Sequence, residues 1–179
     1  LLIKNGTVLT VTNGTLPNTD VLIRAGTITR VAAGLSAPRG VRVVDATGMF
    51  VMPGIIDAHS HNALTSINEG SAPVTSEVTM EDVIDPFDIG IYRALAGGVT
   101  TIHAMHGSAN VIGGQCETLK LRYGLTNPDH LKMEGAPRTI KFALGENPTR
   151  NHGGSGIHPS TRMGVEMVLR EAFDQAQRY

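Results

Sequence analysis

The apolar run Phe50 to Ile56 ends abruptly in Asp57-Ala58-His59-Ser60-His61, and this stretch divides the chain into two kinds of sequence. Before it, short β-rich segments alternate with tight-turn signals. After it, strands alternate with helical segments, the grammar of a parallel α/β architecture. The run itself reads as a buried strand whose polar residues come only at its end. Side chains at i and i+2 of a strand point the same way, so His59 and His61 present two imidazoles on one side. Imidazole is the commonest protein ligand for zinc and its neighbours. Asp57 shares their parity and is placed to hold a histidine N–H or to add charge at a metal. The plain alternative is a chance pair of histidines in a turn; the apolar strand and Pro53-Gly54 ahead of it favour a metal site.

The segment before the run is scaffold. Thr7 to Thr12 is β-rich, Asn13-Gly14 is a hairpin signal, and Val21 to Arg24, Ala25-Gly26 and Thr27 to Val31 repeat strand, turn and strand. Val41 to Val44 adds a further short strand. No chemistry is assigned to residues 1–52.

Beyond the histidines, 62–86 is polar and Ser/Thr-rich, and it reads as a long loop of the kind that is functional or disordered. A helix is expected from Pro86-Phe87-Asp88 to about Ala96, closed by Gly97-Gly98. Val99 to Met105 reads as a strand, followed by a glycine-rich loop from His106 to Gln115. His103, on the strand, reads as a satisfied core histidine. His106, Asn110 and Gln115 are candidate substrate-binding residues, because active sites of α/β barrels sit on the loops after the strands and glycines allow close backbone approach. The loop reads equally as a plain structural turn, and it lacks the phosphate-binding patterns of glycine and lysine.

A third feature is the strand in Pro137 to Pro148. Lys141 lies inside it, which is costly unless the lysine is paired or modified. Glu146 stands at its C-terminal end. Both are candidate metal ligands; a lysine snorkelling to water and a glutamate paired with Arg150 are the structural alternatives. Residues 151–159 are flexible by composition and contain His152 and His158. A helix with a hydroxyl N-cap starts at Ser160 or Thr161, and Val165, Val168, Leu169, Ala172 and Phe173 share one face.

Pro53 to His61 resembles the signature at the end of the first barrel strand in the amidohydrolase superfamily. Ile3 to Val8 and Val44 to Gly48 resemble the small sandwich domain of those enzymes. Gly98-Val99-Thr100-Thr101 resembles the second barrel strand of the imidazolonepropionase-like and Xaa-Pro dipeptidase-like branch, and Gly107 to Gln115 a little-characterised group within it. The resemblance implies an α/β fold, a β-sandwich segment at 1–52 followed at 53–179 by the first half of a (β/α)8 barrel. It implies a divalent metal, zinc foremost with iron or manganese as alternatives, as one or two ions. Lys141 resembles the lysine that is carboxylated and bridges two metals in many relatives; in others a glutamate serves, and Lys141 and Glu146 both stay open. The implied activity is hydrolysis of a non-ester C–N bond, in a cyclic amide, dipeptide or N-acyl substrate, by metal-activated water. A deaminase, or a non-catalytic metal-binding or assembly fragment, is the alternative.

Length bears on this reading. A (β/α)8 barrel takes about 250 residues, and the chain has 179, with roughly the first fifty spent on the sandwich. Two further metal histidines and the catalytic aspartate are expected outside it, in a C-terminal half carried as a second chain, and the chain alone is expected to be inactive. The end at Tyr179, inside an apparent helix, is expected to be a truncation or cleavage. Hydrophobic residues are 41%, enough for a core, and the formal net charge of −1 argues against nucleic acid as a partner. No run reaches the length of a membrane span. A single cysteine, Cys116, forms no internal disulfide and fits a reducing compartment such as the cytoplasm. A small-molecule substrate is expected, and a homo-oligomer is compatible with the sequence.

Overall fold

A computed structural model describes all of residues 1–179. The chain divides into two units, Leu1–Pro53 and Gly54–Tyr179.

The first unit is one five-stranded sheet. Strands β1 (Leu2–Leu9), β2 (Thr15–Arg24), β3 (Thr27–Ala32) and β4 (Val43–Asp45) lie in the order β3-β2-β1-β4, and β5 (Phe50–Val51) also pairs with β1. The Asn13-Gly14 signal sits in the β1–β2 connection, where Gly14 takes a φ of 75° and Thr10 accepts the Asn13 N–H. Alternation along the strands splits the apolar residues between two faces. Leu2 and Leu22 pack with Leu35, while Ile3, Val21 and Ile23 line an apolar cleft of about 470 Å³ on the same unit. A sandwich needs two sheets, and residues 1–53 form one. Asp20, 1% exposed, accepts the backbone N–H groups of Asn5 at 2.8 Å and Leu35 at 2.7 Å, so one buried carboxylate ties β1 and the 33–42 segment to β2.

The apolar run is not a single buried strand. Phe50 and Val51 belong to the first sheet, Pro53 offers no N–H to continue a ladder, and Ile55 opens the second sheet; Phe50 and Ile56 are each 69% exposed. A Cβ at Gly54 would collide with Thr100, so glycine lets the chain enter the second sheet beside its neighbour.

In the second unit, β6 (Ile55–Ser60), β7 (Val99–Ala104), β8 (Ile112–Lys120) and β9 (Thr139–Phe142) lie in that order. Only β6 and β7 pair in parallel; β8 runs antiparallel to both β7 and β9. The uniformly parallel sheet expected from the sequence fails here for a simple reason. A parallel crossover needs about a dozen residues or more, and only residues 105–111 join β7 to β8. Gly113, Gly114 and Gln115 therefore lie in a strand, and the loop is shorter than the glycine content suggested.

Helix α1 (Ile89–Ala96) is capped by Asp88, which accepts the Gly90 N–H and, through its other oxygen, that of Ala63. Ile91 packs beneath the sheet against Ile102, Ala104 and Leu119, all fully buried. Ile102 and Ala104 alternate with Thr101 and His103, so β7 turns an apolar face to α1 and a polar face to the other side. Residues 146–153, read as strand end and flexible loop, form helix α2 (Glu146–Gly153). Helix α3 (Arg162–Arg178) starts at the Thr161 cap and packs Val165 and Val168 on Val111 and Ile112. Phe173 stacks on Phe142, with ring centroids 6.4 Å apart, while staying 55% exposed. The 62–86 segment is a folded strap: it bridges Ile112 through Val74 and Gln115 through Thr79, and contains a short helical turn at Met80–Val83. No helix is long and apolar enough to cross a membrane.

Two substitutions check this packing by denaturant unfolding of the chain. Asp20→Ala leaves two buried N–H groups without an acceptor and is expected to cost about 2–4 kcal/mol. Ile102→Ala opens a cavity at a fully buried site and is expected to cost about 2–5 kcal/mol. A loss below about 0.5 kcal/mol at either position would contradict the packing described.

Candidate metal centre

Because β8 is antiparallel to both neighbours, β6, β7 and β9 run in one direction and their C-terminal ends lie together. The outer strands are β6 and β9. In a flat sheet three strand spacings would hold them about 14 Å apart. Yet Lys141 Nζ of β9 lies 3.2 Å from His59 Nε2 of β6. The two side chains thus reach across the sheet to meet.

His61 is oriented by the backbone. Its Nδ1 lies 2.9 Å from the Met105 carbonyl just after β7; a carbonyl only accepts, so Nδ1 carries a proton and Nε2 is the nitrogen left to face outward. The His59 and His61 rings sit edge to face with centroids 5.3 Å apart. Asp57 takes a different role from the one expected: its Oδ1 accepts the His59 backbone N–H at 3.1 Å and holds the backbone rather than the ring. Lys141 is 6% exposed, and none of the ion pairs in the structure includes it. Its positive charge, with partial burial and the neighbouring His61, holds His59 below the ordinary imidazole range. This favours the neutral form of His59, the form that ligates metal.

The other sequence candidates go elsewhere. Glu146 opens α2 and pairs with Arg150 at 2.5 Å, both largely exposed, which is the structural alternative to ligation. No cluster of three or more His, Cys, Asp or Glu side chains is assembled anywhere in the chain. His106, Asn110 and Gln115, expected at a substrate, face the strap instead. His106 is fully buried: Nδ1 bonds the Gly107 carbonyl and Nε2 accepts the Glu69 N–H, each at 2.9 Å. The Asn110 amide donates to the Ala72 carbonyl at 2.7 Å and to Thr75 Oγ1 at 3.0 Å, and Gln115 donates to the Ser76 carbonyl at 3.2 Å. Their glycines serve the same close fit. A Cβ on Gly113 would lie 2.6 Å from His106 Nδ1, and one on Gly114 would lie 2.9 Å from the Val78 carbonyl.

His103 bonds Thr118 Oγ1 at 3.1 Å through Nδ1 and Thr139 Oγ1 at 2.8 Å through Nε2, the satisfied state expected of it. Thr139 is two residues before Lys141, so this bond steadies β9 where the lysine projects. His152 is buried and His158 exposed, in or just after α2. Sequence reasoning missed the Met105 carbonyl, since a backbone acceptor leaves no trace in residue type. The Thr139–His103 link had a signal, because Thr139 shares its strand parity with Lys141.

The donor set suits a divalent cation. Two imidazoles lie beside a buried amine that lacks a carboxylate partner.

No family model matches the chain. It is 33% identical over 184 residues to "Amidohydrolase tasK" of Hapsidospora irregularis, covering 89% of this chain and 18% of that protein. It is 38% identical over 102 residues to a dihydropyrimidinase of Dictyostelium discoideum, covering 57% of this chain and 18% of the relative. An amidohydrolase from Thermotoga maritima superposes with a TM-score of 0.89 at 38% identity, over 99% of this chain and 48% of that one. The chain thus spans under half the length of each of these proteins. With the strand-end histidine pair and the lysine brought to it, these likenesses show that the chain belongs to the amidohydrolase superfamily.

Proposed function

We propose that this chain carries one wall of a metal-dependent hydrolase site that cleaves a C–N bond in a cyclic amide, a dipeptide or an N-acyl compound. The observation that carries the reading is the 3.2 Å approach of Lys141 Nζ to His59 Nε2 across the sheet. In this reading Gly54–Tyr179 opens a (β/α)8 barrel, and the remaining strands, two further histidines and the aspartate that moves the proton come from residues outside the chain. The likeness to a dihydropyrimidinase supports a cyclic amide among the three substrate types.

His59 and His61 would hold the cation through their Nε2 atoms. Lys141 joins them once its neutral amine adds CO2, giving an N-carboxylate and releasing one proton. Two imidazoles and one carboxylate make the three protein ligands typical of a catalytic zinc. When bound, such a cation supplies an activated water and polarises the scissile carbonyl. The protein's part is orientation: the Met105 carbonyl sets the His61 tautomer, Asp57 fixes the backbone of His59, and His103 with Thr139 steadies the strand bearing Lys141. Glu146 is left out of the ligand set because Arg150 engages it.

Metal analysis with intact-mass measurement tests this. The chain is expected to retain about one equivalent of zinc, iron or manganese, and His59→Ala or His61→Ala to weaken retention by more than about 100-fold. A mass excess of about 44 Da should disappear in Lys141→Met. Unchanged retention in both histidine variants would refute the centre. Titration of His59 by NMR gives a second check. Lys141 is the largest cause of its lowered pKa, so in the uncarboxylated chain Lys141→Met should move the titration upward, toward the ordinary imidazole value. No movement would mean that the two groups are not in contact.

A further inference from the structure

Of the polar side chains in the glycine-rich segment 107–115, Asn110 and Gln115 bond the strap and Ser108 does not. The half-buried Ser108 lines a cleft of about 300 Å³, shared with Lys141, the turn after β9 and the first residues of α2.

The wall that carries Ser108 is fixed on both sides of it. The Gly107 N–H donates to the Ile67 carbonyl, the Gly107 carbonyl accepts from His106 Nδ1, and the Ala109 N–H donates to Asn68 Oδ1 at 3.1 Å. Across the cleft, the Ala143 N–H donates to the Val111 carbonyl at 3.1 Å, which ties the end of β9 to the same segment. The remaining wall is the start of α2, where no cap side chain takes the first-turn N–H groups. The Glu146 carboxylate is engaged by Arg150 one turn further on. Such a helix end favours negative charge.

The Lys141 amine, 6% exposed, opens on a cleft whose other polar groups are a hydroxyl and helix-end N–H groups. That setting suits an anion at the lysine better than a cation. When the amine adds CO2, its lone pair bonds the carbon, one C–O π pair moves onto oxygen, and an N–H proton leaves to water. A carboxylate that gives one oxygen to a cation keeps a second, and in a buried place that oxygen needs a donor. Asn147 is the other neutral polar side chain of the cleft, and it is exposed.

We propose that Ser108 is a positioning residue: its hydroxyl donates to the free oxygen of the N-carboxylate on Lys141 and sets how firmly CO2 is held there. The inference rests on the carboxylated-lysine reading above and assigns a role to a residue which that reading leaves out.

The test equilibrates the zinc-loaded chain with 13C-bicarbonate and follows the carbamate carbon by 13C NMR as the bicarbonate concentration is raised. The wild-type chain is expected to give a saturable signal, absent in Lys141→Met. Ser108→Ala should need about tenfold more bicarbonate or above for half-occupancy, as loss of a bond behind a metal ligand implies, and Ser108→Thr, which keeps a hydroxyl, should restore the wild-type midpoint. Ser108→Cys, close in size but a weak donor, should behave like the alanine variant, and amide dispersion of each metal-free variant checks that it is folded. A carbamate midpoint unchanged in the folded alanine and cysteine variants would overturn the role of Ser108 and leave the metal centre standing. No carbamate in the wild-type chain would overturn both.

Discussion

The approach of Lys141 to His59 constrains the second unit more than any other contact. It joins the two outer strands of a four-stranded sheet. Alternation along the strands makes one face polar, with His103, Thr118, Thr139 and Lys141 on it. The opposite face, carrying Ile102, Ala104 and Leu119, stays apolar and buries Ile91 of α1. The shared direction of β6, β7 and β9 brings their C-terminal ends to one edge. The Met105 carbonyl can then orient a histidine from the neighbouring strand.

Much of this was legible in the sequence where local chemistry decides the structure. The hairpin signal at Asn13-Gly14, the start of α1 about Asp88, a hydroxyl cap at Ser160 or Thr161, the end of α1 at Gly97-Gly98 and the core face of α3 follow from residue type and spacing. The histidine pair was legible for the same reason, because strand parity alone places both rings together. Lys141 stood out as a charge inside an apolar strand, and the structure brings it to His59.

What was not legible depends on contacts distant in sequence. The direction of β8 is set by the short connection before it, so glycines that looked like an open loop became strand residues packed against the strap. His106, Asn110 and Gln115 are polar residues near a strand end, the pattern of a binding loop. Only their partners, backbone groups of Glu69, Ala72 and Ser76 some forty residues earlier, show that they hold the strap in place. Glu146 looked like a strand-end ligand because the helix beginning at that residue was not foreseen. The glycine-rich segment thus shapes a fixed wall that fits against Asn68 of the strap.

The central claim is that His59, His61 and Lys141 hold one cation, and X-ray absorption at the zinc edge of the zinc-loaded chain tests it most directly. The account predicts a nitrogen and oxygen shell at about 2.0–2.1 Å with the outer-shell signature of two imidazoles, reduced to one imidazole in His61→Ala. A sulfur shell at about 2.3 Å, which would place the metal on Cys116, or a spectrum without imidazole, would contradict it.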